Sequence, residues 1–124
     1  MKVLSVLAVT LVLASCAGAP GDGAGLTASQ AGTAFSAVYP HWELQCDEPG
    51  FATTQVTFDV QLDAWGRLVS EPTLVAPEDT DAYRTVAASA LTALKAAEPY
   101  PVPRGFTGGQ FRPTFRADRA CATK

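Results

Sequence analysis

The sequence predicts an α+β domain, a small three-stranded antiparallel sheet in the order 2-1-3 with two helices. Three observations predict it. Residues 55–63, QVTFDVQLD, alternate apolar and polar side chains, the pattern of a strand with one buried and one wet face. Tyr83, Val86, Ala87, Ala90, Leu91, Leu94 and Ala97 recur at helical spacing and form one apolar stripe. Pro72 and Pro113 each sit inside a further strand-like run. Proline is tolerated there only where no ladder hydrogen bond is needed, so both runs belong at edges, with residues 55–63 between them.

Taken from the N-terminus, Lys2 precedes a run of uncharged apolar or small residues, Val3 to Ala14. As a helix that run covers about 18 Å, against a bilayer core of about 30 Å. It is too short to span and has the layout of a secretory leader. It ends Leu13-Ala14-Ser15-Cys16, which resembles the lipobox of bacterial lipoproteins. The resemblance implies that residues 1–15 are a cleaved signal peptide and that the Cys16 thiol takes the lipid and anchors the chain to a membrane. The alternative is an ordinary secretory signal with a chance cysteine. Ala17 stands where lipoproteins kept at the inner membrane often carry Asp, so the resemblance implies the outer membrane, facing the periplasm. Residues 16–25, CAGAPGDGAG, hold no bulky side chain and read as a lipidated flexible tether. The folded domain is expected over residues 26–124.

Phe35, Val38 and Trp42 fall at i, i+3 and i+7, a first helix that Pro40 is expected to end or kink. Residues 46–53 read as a loop. After the central strand, Asp63-Ala64-Trp65-Gly66 suits a type I turn closed by a left-handed glycine, and residues 67–75 return as the second strand. Residues 77–81, PEDTD, place acids at the positive end of the second helix, with Asp79, Thr80 or Asp81 as its cap. Pro99, Pro101 and Pro103 stop that helix. Residues 110–116, QFRPTFR, alternate again, with Phe111, Pro113 and Phe115 on one face and Arg112, Thr114 and Arg116 on the other. The second helix crosses the sheet and lays this last strand antiparallel to the first. Asp59 and Asp63 are then expected opposite Arg112 and Arg116 on the wet face. With Cys16 given to lipid, Cys46 before the first strand and Cys121 after the last are expected as a disulfide, two free thiols being the alternative.

Without the leader the chain has twelve acids and eight basic residues, a net charge of −4, which argues against a nucleic-acid partner. The charge is uneven, because Arg104, Arg112, Arg116, Arg119 and Lys124 crowd the C-terminal part against Asp118 alone. His41 is the single histidine and offers neither a metal cluster nor a triad. Asp59 and Asp63 belong to a solvated face, and Gly108-Gly109 lacks the Lys and Ser/Thr of a phosphate loop. No nucleophile–base pair is visible, so the expectation is a chain that is not an enzyme and takes no metal and no small-molecule cofactor. Trp65 is expected to fold back over its own hairpin, with an interface anchor as the alternative.

A Trp-ending first helix, then VTFDVQLDAWGRL, ALTALKAA, PYPVP and FRPTF, in that order, resemble the periplasmic C-terminal domain of TonB and TolA energy transducers over residues 34–115. The resemblance implies a protein–protein interaction module serving TonB/Tol-type transmembrane transport or envelope integrity. It would take extended peptides of envelope proteins by β-strand addition. Phe111, Arg112, Thr114 and Arg116 would form the receiving edge, with Trp65 as a second contact. The family has an inner-membrane helix and a long arm, whereas here a lipid and ten tether residues stand in their place, so force transmission is not implied. Pro113 lies in the receiving strand. Its missing N–H points either outward, which blunts the edge, or inward, which leaves the edge open. The rival reading is a small periplasmic inhibitor or outer-membrane assembly lipoprotein acting through a loop or the Trp65 hairpin.

Overall fold

The structure, a computed structural model, describes residues 25–122. The leader, Cys16 and tether residues 16–24 lie outside the described residues. Helix α1 spans Ala28–Phe35 and opens on a reciprocal cap: Thr27 Oγ1 accepts from Gln30 N–H at 3.1 Å, and Gln30 Oε1 accepts from Thr27 N–H at 3.0 Å. The helix then tightens into a 3₁₀ segment, Ser36–His41, that contains Pro40. The α-helix therefore ends before the proline, at Phe35, and the helical segment as a whole ends at His41, one residue after Pro40. Phe35, Val38 and Trp42 are all buried, and His41 is exposed.

Strand β1, Gln55–Leu62, buries Val56, Phe58, Val60 and Leu62 and turns Gln55, Asp59 and Gln61 to water. At its end Asp63 Oδ1 accepts from the N–H groups of Trp65 and Arg67, and Asp63 C=O accepts from Gly66 N–H at 3.1 Å. Gly66 has φ +81°, the left-handed closure that the turn requires. It has a second duty: a Cβ there would lie 2.1 Å from the Tyr100 carbonyl oxygen, and Gly66 C=O accepts from Tyr100 N–H at 2.8 Å. The proline-rich connection is therefore docked on the hairpin tip.

The return strand is much shorter than residues 67–75. Leu68 bridges Leu62, but regular pairing resumes only in β2, Thr73–Leu74, where Thr73 faces Asp59. Three steps along β1 are matched by five on the return, so two extra residues bulge out. Pro72 sits in that bulge, where no ladder bond is demanded of it. Helix α2, Asp81–Ala96, is capped by Thr80, whose hydroxyl accepts from Tyr83 N–H at 3.1 Å. It buries Tyr83, Val86, Ala87, Ala90, Ala93 and Leu94.

The last strand is split into β3, Gly109–Phe111, and β4, Thr114–Arg116. Both pair antiparallel with β1 on the side away from β2, in one unbroken register: Val60 faces Phe111 and Thr57 faces Thr114. The order 2-1-3 holds, with the third position filled by two half-strands. A third helix, α3, Ala117–Ala122, which the sequence reading did not anticipate, follows β4 directly and buries Ala117 and Ala120. Three helices and an open four-stranded antiparallel sheet thus replace two helices and three strands. The expected Cys46–Cys121 pair is bridged, with Cα atoms 5.8 Å apart, and ties α3 to the segment after the 3₁₀ turn.

Tyr100 shows how the connection is held. Its ring lies 5.1 Å from that of Phe35, and its hydroxyl donates to the Leu94 carbonyl. Burial, reinforced by Glu98, pushes its phenol well above the ordinary tyrosine value of 10.0. A phenol raised by folding contributes stability below its unfolded pKa and loses it as pH climbs above that value. The protein is expected to lose stability above pH 10, and Tyr100→Phe should flatten that alkaline slope in urea melts taken from pH 8 to pH 11.

Candidate functional site: the outer edge of β3 and β4

Backbone direction along the last strand decides whether its edge is usable. Phe58 N–H donates to Pro113 C=O at 3.1 Å, and Ala117 N–H donates to Thr54 C=O at 3.0 Å. In an antiparallel ladder, hydrogen-bonded and non-hydrogen-bonded pairs alternate. The odd-numbered residues 109–117 therefore face β1 with their backbone groups, and the even-numbered ones face away. Pro113 occupies an inward position, opposite Phe58. The N–H it lacks would have pointed at the Phe58 carbonyl, so the cost falls on one inner ladder bond, and the strand breaks there.

The outward N–H and C=O groups of Gln110, Arg112 and Thr114 are untouched by this loss. Among the described residues no strand pairs with them. The next outward N–H, that of Arg116, is taken by the Tyr39 hydroxyl at 3.2 Å. The open edge thus runs from Gln110 to Thr114 and is closed at Arg116.

A groove of about 280 Å³ lies along this edge. Its far wall is α1, through Ala28, Ala31 and Gly32, and Phe35, Phe111 and Phe115 line its base. The small residues on α1 keep that wall back from the strand, and a Cβ added to Gly32 would meet nothing within 4 Å. The helix and the strand run the same way. Gly25 lies against Phe106 before β3, while Tyr39 reaches Arg116 at the end of β4. Leu26 therefore marks one end of the groove, with Tyr39 and Arg119 at the other. The Arg119 guanidinium sits 4.7 Å from the centre of the Tyr39 ring, a cation–π contact.

The four edge residues named from sequence divide their roles. Phe111 is buried and sits in the base of the groove. Arg112 turns to the wet face and pairs with Asp59 directly across the ladder, Nε to Oδ1 2.7 Å. The Thr114 hydroxyl is 2.7 Å from that of Thr57. Arg116 departs from the expected charge ladder: its register partner is Gln55, and its guanidinium goes to Asp118 at 2.7 Å. Asp63 is likewise absent from the ladder because its carboxylate closes the hairpin. These exposed pairs contribute about 0.2–1 kcal/mol each, enough to favour a register and little more.

Trp65 is 74% exposed at the hairpin tip, which corrects the expectation that it packs back over its own strands. It sits in the turn that Asp63 closes and is not among the residues lining the groove. Sequence reading missed Tyr39, Arg119 and the small face of α1. The signal for the last was present in Ala28, Ala31 and Gly32, spaced to share one helical face beside the buried stripe.

Among the described residues no group of three His, Cys, Asp or Glu side chains can hold a metal, and no helix is long and apolar enough to cross a membrane. No protein-family model, no curated protein and no solved structure matches the chain.

Proposed function

We propose that this chain is a lipid-anchored, periplasm-facing interaction module of the outer membrane, similar in design to the TonB and TolA C-terminal domains. In this reading it receives an extended peptide from an envelope protein along the outer edge of β3 and β4. The observation that carries the reading is the open backbone of Gln110, Arg112 and Thr114 beside a groove that α1 leaves unfilled. An added strand lies about 4.8 Å from its neighbour, which puts it in that groove. A disulfide in so small a domain supports an oxidising compartment, and the lipobox-like LASC at 13–16 supports the anchor.

Amide shifts in an NMR titration test the reading. Extended peptides from TonB-dependent receptors, or from a TolB-like N-terminus, are expected to perturb the amides of Gln110–Arg116 and of α1. Gly32→Leu should abolish those shifts by filling the groove. It should leave the fold intact, since replacing an exposed helical glycine gains up to about 1 kcal/mol of helix propensity. Absence of any shift on Gln110–Thr114 rejects strand addition. A second reading, an inhibitor or assembly factor acting through the hairpin, is favoured by the exposure of Trp65. Shifts confined to the hairpin around Trp65 on adding envelope extract would select it.

A further inference from the structure

We propose that the segment taken by this groove is acidic, and that a carboxylate side chain at its end nearer α3 pairs with Arg119. The inference rests on the strand-addition reading and adds the chemistry of the occupant. The lining contains two arginines and no carboxylate. The two are not equivalent. Arg112 is held by Asp59 on the wet face of the sheet, outside the apolar floor. Arg119 lies over the Tyr39 ring at the closed end, is exposed, and makes no ion pair among the described residues, its neighbour Asp118 being engaged by Arg116.

The edge imposes where that charge is met. Backbone pairing is available from Gln110 to Thr114 and ends at Arg116, whose outward N–H already donates to the Tyr39 hydroxyl. An added strand therefore runs out of ladder beside Tyr39 and Arg119. Its last residue there has no further backbone partner and meets a guanidinium instead. A lysine at that position of the peptide meets like charge, an asparagine forfeits the attraction, and an aspartate or glutamate gains it. The middle of the groove, walled by Ala31 and Gly32 and floored by Phe35, takes small or apolar side chains.

The probes are capped heptapeptides of alternating Val and Thr carrying one Asp near either end, with Asn and Lys counterparts, titrated into the disulfide-bonded protein and followed by amide shifts. One Asp peptide is expected to bind about threefold tighter than its Asn counterpart at low salt, with the advantage lost near 0.5 M salt. The end at which Asp helps reports the direction of the added strand. Arg119→Gln should erase the preference while the shifts on Gln110–Thr114 persist, and Arg119→Lys should restore part of it. Equal binding of the Asp, Asn and Lys peptides, with shifts on Gln110–Thr114, overturns the charge selection and leaves strand addition standing. A preference that survives Arg119→Gln also overturns it. No shift on Gln110–Thr114 from any peptide overturns both.

Discussion

Replacing both Cys46 and Cys121 with serine is expected to lower unfolding stability by as much as about 4.5 kcal/mol. The bridge closes a loop whose ends are 75 residues apart in sequence, and cross-linking a loop of that length removes about this much chain entropy from the unfolded state. The figure is an upper bound, because an unfolded chain that stays compact has less entropy to lose. Small domains are stable by roughly 5–15 kcal/mol, so even half the effect would move the melting transition far. The double substitution is the cleaner variant, since a single one leaves a free thiol. Urea unfolding of the two proteins, compared at equal slope, measures the loss. The change should also be visible locally. The bridge holds α3, and α3 carries Arg119 onto Tyr39, so the amides of Ala117–Ala122 should exchange faster in the serine variant. A loss below about 1 kcal/mol would mean that the buried Ala117 and Ala120, rather than the bridge, keep the C-terminus docked.

The elements that patterning reaches were legible, and the reason is burial. Val56, Phe58, Val60 and Leu62 alternate because one face of β1 is core and the other water, and Tyr83 to Leu94 repeat at helical spacing because α2 buries one stripe. Both proline-bearing runs do lie at edges, but only Pro72 sits where no ladder bond is demanded; Pro113 faces inward, and its missing donor splits the strand instead. What patterning does not reach is length and continuity. The return strand shrank to Thr73–Leu74 because two extra residues bulge around Pro72, and nothing in the alternation of residues 67–75 encodes a bulge. Helix α3 was hidden because six residues, ADRACA, are too short for a periodic signal and begin on the residue after the last strand.

The site was less legible than the fold, because it is made of backbone. Phe111, Arg112, Thr114 and Arg116 can be named from an alternating run, yet which of their N–H groups face outward depends on the parity of the ladder. That parity is set by the pairing of Phe58 with Pro113, an interaction across 55 residues of sequence. The open-or-blunted question about Pro113 had two answers in the sequence and has one in the structure. Tyr39 escaped notice for a related reason: it was one more aromatic near a helix end, and only the fold brings its hydroxyl to the Arg116 N–H.

Trp42→Ala is expected to cost about 3–5 kcal/mol, a loss of the same order as that of the disulfide. Trp42 is wholly buried at the end of the 3₁₀ turn, where that turn packs on α2. Truncation removes the largest fully buried side chain and leaves a cavity that the surrounding helices can only partly close. The indole N–H adds a directional part, since it donates to Ser89 Oγ at 2.9 Å while that hydroxyl donates to Val86 C=O at 2.8 Å. Ser89→Ala keeps the ring but strands its N–H, and should cost about 1–3 kcal/mol, the penalty for an unsatisfied buried donor. The ordering of the two variants in urea melts therefore separates packing from hydrogen bonding. Trp42 also backs Tyr39, their rings 6.0 Å apart, and Tyr39 is what closes the edge at Arg116 and seats Arg119. Losing the indole should let Tyr39 move, so the Arg116 amide should exchange with solvent faster in Trp42→Ala, while Ser89→Ala, which retains the ring, should leave that amide protected. If both variants expose Arg116 equally, the closed end of the groove is held by α2 as a whole rather than by the Trp42–Tyr39 contact.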